Sequence, residues 1–524
     1  AEAEHAGPAF SELGLGRRRG EREEGGEEAE GAGSQGQAGG VKGFTEQLDL
    51  LEHLRGVVHA LHEQGVTDVT VLERADEVGG VWRENTYPGC ACDVPSHMYS
   101  FSFEPNPDWS QMWAQQPEIK SYLDGLGEKY RLEENIRFGV ECVGGYWDEA
   151  QLQWHIRTAD GDEYIAQFLV SGIGALHIPN VPELNGIDSF AGETFHSARW
   201  NHDVDLTGKK VAVIGTGASA VQFVPRIVDT VGELQLYQRT PAWVLPRSNY
   251  SIPGPVRRMF RRVPLLRRAF RTSVYLSAEW LAVGLNGHVN LLRPMEYAAR
   301  KYIEREVKDP VLRRKLLPDY RIGCKRILGS DSYYAALARS TAEVITDGIE
   351  EIRTGSIVGS DGTERDVDVI VYATGFHVTD GFESMNVAGI GGRELVAHWQ
   401  ENGIETYLGI ATAGFPNAFF LLGPNTALGH NSVVFMIEQQ IKYIMKAIDA
   451  VASRGAQRID VRPEIQEHFN KDIQQKLAKG VWTKGGCTSW YLDSHGVNRT
   501  VWPGFTWQYW RATKDFEPAD YEIA

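Results

Sequence analysis

Residues 209–222 read KKVAVIGTGASAVQ, an apolar run that passes through two glycines into a helix-forming segment. Gly215, Gly217 and Ala220 stand in a GxGxxA pattern. Glycine at these positions lets the backbone turn sharply out of a strand and approach a pyrophosphate at the N-terminus of the next helix. A strand that feeds a helix in this way belongs to a parallel sheet, whose strands are joined by crossovers. The following apolar run, residues 234–237, is closed by Arg239 rather than by an acid. A basic residue there favours the 2′-phosphate of NADP over the bare ribose of NAD. The plainer alternative for the same residues is a tight turn with a structural arginine.

Other strand signals repeat the theme. Val69, Val71 and Leu72 lead into Glu73, an acid placed to accept from a ribose hydroxyl; residues 167–172 run from Gln167 into Gly172, and residues 368–372 precede Ala373-Thr374-Gly375. Short apolar strands alternating with helical patterns predict an α/β fold with doubly wound parallel sheets. At 524 residues the chain is too long for one hydrophobic core, so more than one domain is expected. Residues 250–320 lack strand signals and predict a helical insertion.

Charge and composition exclude several classes. A formal net charge of -17 argues against a nucleic-acid partner, which needs a basic face. The five cysteines, Cys90, Cys92, Cys142, Cys324 and Cys487, have no CxxC spacing, which disfavours both a disulfide framework and a zinc site; no metal is expected. Residues 274–292 are interrupted by Glu279, Asn286, His288 and Asn290, short of the roughly 20 apolar residues of a membrane span. They read as a buried helix. The arginine-rich stretch before them, residues 257–271, sets Phe260, Leu265, Leu266 and Phe270 at near-helical spacing. It reads as a solvated helical face over a core, with peripheral attachment to anionic lipid as the alternative. No export signal is read at the N-terminus, so a cytoplasmic location is the expectation.

Two further motifs carry a resemblance. Residues 79–93 read GGVWRENTYPGCACD and residues 190–200 read FAGETFHSARW. The first fits A/G-G-x-W-x4-F/Y-P-G/M-x3-D and the second FxGxxxHxxxW, so the chain resembles the Baeyer-Villiger monooxygenases, class B flavin-containing monooxygenases. Trp200 favours them over the N- and S-oxygenating relatives, although Asn201 stands where Pro or Asp is usual. The likeness runs from about Ala60 to Tyr521 and includes Lys325-Arg326, residues 415–417, residues 423–426 and Ser489-Trp490.

The resemblance implies two dinucleotide-binding, Rossmann-like domains with the helical insertion, at about 250–320, in the NADP domain. The Gly-, Glu-, Ala-, Arg- and Gln-rich composition of residues 1–43 reads as a low-complexity, disordered leader. The expected domains after it are a first FAD-domain part over 44–185, the NADP domain over 186–365, and a second FAD part with an active-site segment over 366–524. The resemblance implies FAD and NADPH as cofactors, with Glu73, Gly80, Val81, Trp82, Asp93, Tyr99 and Cys142 on the flavin side. Gly215, Thr216, Gly217, Ala218, Ser219, Ala220, Gln222, Arg239, Thr240 and Lys325 fall on the NADP side, and Trp490 near the nicotinamide. Arg326 is the catalytic expectation, with Asp93 beside it and His196 linking the domains. The implied reaction passes hydride from NADPH to FAD, forms a flavin C4a-peroxide with oxygen, and inserts one oxygen into a ketone or aldehyde to give an ester or lactone. Small ketones and oxygen are then the partners.

One departure stands out. The FAD-side GxGxxG should place glycines near positions 49, 51 and 54, which hold Asp49, Leu51 and Leu54, and residues 43–48, GFTEQL, do not read as an apolar strand. Leucine side chains would fill the space where backbone meets phosphate, and Asp49 would oppose its charge. The expectation is either an error in residues 1 to about 56 or a real loss of the loop. A genuine loss implies weak FAD binding and a non-catalytic, NADP-binding relative; N- or S-oxygenation is the other alternative.

Overall fold

The computed structural model describes residues 18–19 and 41–45 as backbone, and 68–174, 176–378, 386–493 and 495–524 in full. Among the described residues there are three five-stranded sheets, and in two of them every neighbouring pair of strands is parallel. The fold is α/β, as the sequence predicts.

The first sheet contains β1 (Val41–Thr45), β2 (Val69–Glu73), β3 (Ile136–Arg137), β7 (Phe168–Ser171) and β13 (Ala418–Phe420), in the order β3-β2-β1-β7-β13. Strand β1 corrects the sequence reading. That reading left no strand at 43–48 and carried the leader to residue 43, yet residues 41–45 form the central strand. Its backbone pairs Val41 with Val69 on one side and with Phe168 on the other. A central position supplies ladder bonds on both edges, and Val41, Phe44 and Thr45 are strand-favouring types although Lys42 and Gly43 interrupt the apolar run. Positions 49, 51 and 54 lie outside the described residues.

The second sheet contains β8 (Glu193–His196), β9 (Lys210–Ile214), β10 (Glu233–Tyr237), β11 (Ala342–Ile345) and β12 (Val369–Tyr372), in the order β11-β10-β9-β12-β8. Its interior strands are buried on both faces, Val211, Ala212 and Val213 completely, which is why they read as continuous apolar runs. Strand β9 feeds α3 (Ala218–Ile227), whose inward residues Ala220, Val221, Phe223 and Val224 join the same core. Strand order reverses beside β9, which opens a crevice at the carboxyl ends of β9 and β12. An antiparallel meander, β4 (Cys142–Asp148), β5 (Gln153–Thr158) and β6 (Glu163–Ala166), leads into β7.

Residues 79–93 leave the first sheet through α1 (Val81–Glu84) and cross to the second. Trp82, Tyr87, Cys90 and Cys92 are buried in one cluster with Phe223 and Val224 of α3. This segment therefore fixes the two sheets to each other. After α2 (Gln116–Lys129), the helical insertion comprises α4 (Gly254–Arg262), α5 (Pro264–Leu285), α6 (Arg293–Glu306) and α7 (Pro310–Lys315). No helix among the described residues is long and apolar enough to cross a membrane. The sequence reading of 274–292 as wholly buried is corrected: one face of α5 lies in solvent.

Candidate active site

The turn after β9 has the backbone that the GxGxxA pattern requires. Gly215 adopts φ +111°, and a Cβ there would lie 2.3 Å from the carbonyl oxygen of Ala373, so only glycine permits the two strand ends to approach. A Cβ on Gly217 would meet nothing closer than 4.0 Å. Gly217 caps α3 without a side-chain hydrogen bond, and the first turn carries no acid. The N–H groups at this helix end remain to receive an anion. Thr216 donates from Oγ1 to the carbonyl of Thr240 at 2.9 Å, which ties the turn to the Arg239-Thr240 loop. Lys325 lies close enough to Arg239 that, after burial, the arginine's charge is what depresses the lysine pKa. These residues fit the diphosphate and 2′-phosphate of a dinucleotide.

Gln222, expected on the NADP side, bonds the 79–93 segment. Its Nε2 donates to the carbonyl of Ala91 at 2.9 Å, while its Oε1 accepts from Ala91 N at 3.0 Å and from the Tyr87 hydroxyl at 3.1 Å. Both amide atoms are used in these bonds, so Gln222 acts as a joint between that segment and α3. Gly89, with φ +82°, completes the joint. A Cβ there would come within 3.0 Å of the Gln222 carbonyl oxygen.

On the side of the first sheet, Glu73 ends β2 fully buried, and its Oε1 accepts from Ala75 N at 2.7 Å. This matches the strand-end acid that meets a ribose. Gly79 and Gly80 both have positive φ and lead into α1. Buried Trp82 donates from Nε1 to the Tyr99 hydroxyl at 3.0 Å, with the rings edge to face. Cys142 starts β4 and packs in one cluster with Leu72. The described part of this side fits an adenosine; its phosphate loop lies outside the described residues.

Between these two sides sits the centre of the site. Arg326 grips Asp93 side-on, Nε to Oδ2 at 2.5 Å and Nη2 to Oδ1 at 2.9 Å, and donates from Nη1 to the Leu428 carbonyl at 3.3 Å. The side chains keep 30% and 31% of their surface accessible. Burial alone would raise the Asp93 pKa, but the charge and hydrogen bonds of Arg326, aided by Arg247, hold the carboxyl below its usual range. The Asp93 carboxylate in turn pushes the guanidinium further up. Both groups stay ionised, and the paired geometry is the strong form of a charge-assisted bond.

Two neighbours were not read from the sequence. Arg247 donates from Nη2 to the carbonyl of Cys92, next to Asp93. Tyr491 is buried, and the Arg326 charge acts on its hydroxyl, while the adjacent Trp490 is 42% exposed. Arg247 is one arginine among many, so only its fold position marks it. Tyr491 adjoins the expected residue, and a strand or helix pattern to orient it is missing. His196 ends β8, accepts from Ala198 N at 3.1 Å and packs against Phe376. Burial lowers its pKa to about 4, so it is neutral at ordinary pH. Burial likewise pushes the Cys90 thiol up to about 12 and Cys92 upward, so neither serves as a nucleophile.

A further correction concerns the cysteines. Cys324 and Cys487 form a disulfide, with Cα atoms 6.1 Å apart, across 163 residues of sequence. Cysteine spacing gave no sign of the pairing, because tertiary folding alone brings such distant positions together. The bridge joins the strand of chain carrying Lys325 and Arg326 to the one carrying Tyr491.

Residues 55–393 match the family described as FMO-like, flavin-binding monooxygenase-like. A Baeyer-Villiger monooxygenase of Pseudomonas aeruginosa is 47% identical over 469 residues, 89% of this chain and 89% of that protein. One of Streptomyces coelicolor is 45% identical over 471 residues, 89% of this chain and 90% of that protein. Among solved structures, an oxidised steroid monooxygenase bound to NADP superimposes with a TM-score of 0.82 at 30% identity, covering 92% of this chain and 99% of that one.

Proposed function

This chain belongs to the Baeyer-Villiger branch of the flavin-binding monooxygenases, and from that premise we propose that it converts a ketone, oxygen, NADPH and a proton into an ester or lactone, NADP⁺ and water. The observation that carries the reading is the side-on Arg326–Asp93 pair, set where the two parallel sheets meet. FAD, when bound, supplies the oxygen-activating redox chemistry, with NADPH as its reductant.

The protein's part is binding, position and charge. The Gly215-Thr216-Gly217 turn and the N-terminus of α3, with Ala218, Ser219 and Ala220, hold the NADP diphosphate, and Arg239 with Lys325 takes the 2′-phosphate. The two parallel sheets thus act as two dinucleotide-binding domains. Glu73 takes the flavin-side ribose, while Gly80, Val81, Trp82 and Tyr99 line that cofactor. Arg326 is a cation that does not titrate in the working range. Fixed beside Asp93, it stabilises negative charge developing on oxygen during the reaction, an effect that grows as bound cofactor and substrate exclude water. Asp93 fixes the guanidinium plane, and the N–H bonds beyond its three recorded ones remain for the Tyr491 hydroxyl and a bound group. His196, neutral and buried at the end of β8, acts as a packing hinge between the sheets and carries no proton in the reaction.

Incubation with NADPH, oxygen and matched panels of ketones, amines and sulfides tests the proposal. Esters or lactones from the ketones support it. Amine or sulfide oxides alone would replace it with heteroatom oxygenation, and a purified protein without flavin absorbance would replace it with a non-catalytic NADP binder.

A further inference from the structure

The helical insertion carries charge unlike the rest of the chain. Over α4 and α5, residues 254–285, there are seven arginines and one acid, Glu279, in a protein of net charge -17. That one acid faces inward. Glu279 is buried and accepts from Asn431 at 2.7 Å and from the Thr506 hydroxyl at 2.6 Å, with His430 at 3.4 Å. No negative charge from this stretch therefore reaches the surface.

Apolar residues do reach it. Along α5, Leu265, Ala269, Thr272, Leu276 and Trp280 recur at helical spacing and are all exposed. Leu265 is 73% accessible, Leu276 60% and Trp280 75%. The corner between α4 and α5 adds exposed Met259, Val263 and Leu266. Phe260 and, in part, Phe270 turn inward, where both rings pack on His97, and Val274, Ala282 and Leu285 continue the buried face of α5. Exposed Arg258, Arg262 and Arg268 flank this apolar stripe. Arg261 also stays largely accessible although it pairs with Asp108.

We propose that the α4–α5 face is a docking surface for an anionic lipid bilayer. An exposed apolar ridge with arginines at its margin matches the layering of a membrane surface, acyl chains below and anionic headgroups beside them. Basic residues near such a surface each add to binding, whereas the acidic remainder of the protein is repelled and keeps the orientation fixed. A second copy of this chain is the other occupant of an apolar face. A two-fold contact would set the same arginines against each other without an acid to pair them, which disfavours it.

Flotation of the purified holoprotein with vesicles tests the surface, using phosphatidylcholine alone and phosphatidylcholine with about 30% phosphatidylglycerol. Binding is expected to the anionic vesicles only and to weaken with salt. It should fall about fivefold for each of Arg258→Gln and Arg262→Gln, and more steeply for the pair Leu265→Glu, Leu266→Glu. Trp280 emission should be quenched by brominated acyl chains, and Trp280→Phe should remove that quenching. Since these residues are exposed, the variants should keep the thermal midpoint of the parent. Absence of binding at low salt would overturn the proposal. So would binding untouched by the leucine variants, or concentration-dependent dimers that those variants dissolve while vesicle binding is nil.

Discussion

Arg326 and Asp93 hold each other in one plane, and each side chain has a separable consequence. Arg326→Ala should leave reduction of the bound flavin by NADPH within about twofold of the parent. Product formation should drop by at least about 100-fold, the scale of losing a fixed charge donor at a reacting oxygen. Stopped-flow reduction and product analysis measure the two separately, and full oxygenation by the variant would remove Arg326 from its role. Arg326→Lys keeps the charge but loses the side-on grip on Asp93, so an intermediate rate is expected. Gln222→Ala acts elsewhere. It strips both hydrogen bonds from the Ala91 backbone and should cost about 1–3 kcal/mol of stability, read as a lower urea midpoint, with the NADP turn itself unaltered.

At the level of elements, buried histidines and the disulfide set how the parts stay together. Burial lowers the pKa of His97, aided by the charges of Arg267 and Arg271, and that of His177 and His196, each to about 4 from 6.5. A depressed folded-state pKa gives stability that is present above pH 6.5 and is lost as pH falls towards 4, because the unfolded chain takes up protons first. The thermal midpoint should be level above about pH 7 and decline steadily below 6.5. A flat profile down to pH 4 would show that these rings are solvated. The Cys324–Cys487 bridge closes a loop of 163 residues, so Cys487→Ser should lower stability by about 2–4 kcal/mol. Urea unfolding with and without reductant checks this, and reductant should change the parent but not the variant.

For the whole molecule, the two sheets share an arrangement in which strand order reverses beside the central strand, β1 in one and β9 in the other. Each reversal opens a crevice at the carboxyl ends of the strands, which is where an α/β sheet binds its ligand. Residues 79–93 start in one sheet and are buried in the core of the other, so cofactor sites on the two are held in register by one segment. Purified protein is expected to carry about one flavin per chain. Absorbance near the flavin band, referred to protein concentration, measures it.

Much of this was legible in the sequence. The GxGxxA turn, the strand ends at Glu73 and Ile214, Arg239, and the 79–93 run are local patterns, in which chain geometry alone dictates residue type and spacing. Position 326 beside position 93 followed only from likeness to a family. The tertiary structure decided the rest. It made VKGFT a central strand through ladder bonds on both edges, tied Gln222 to the 79–93 backbone, and brought Arg247 and Tyr491 to the pair. It joined Cys324 to Cys487 across 163 residues and left Leu265, Leu276 and Trp280 facing solvent. Each of these depends on what a residue meets from a distant part of the chain, and local periodicity carries no record of that partner.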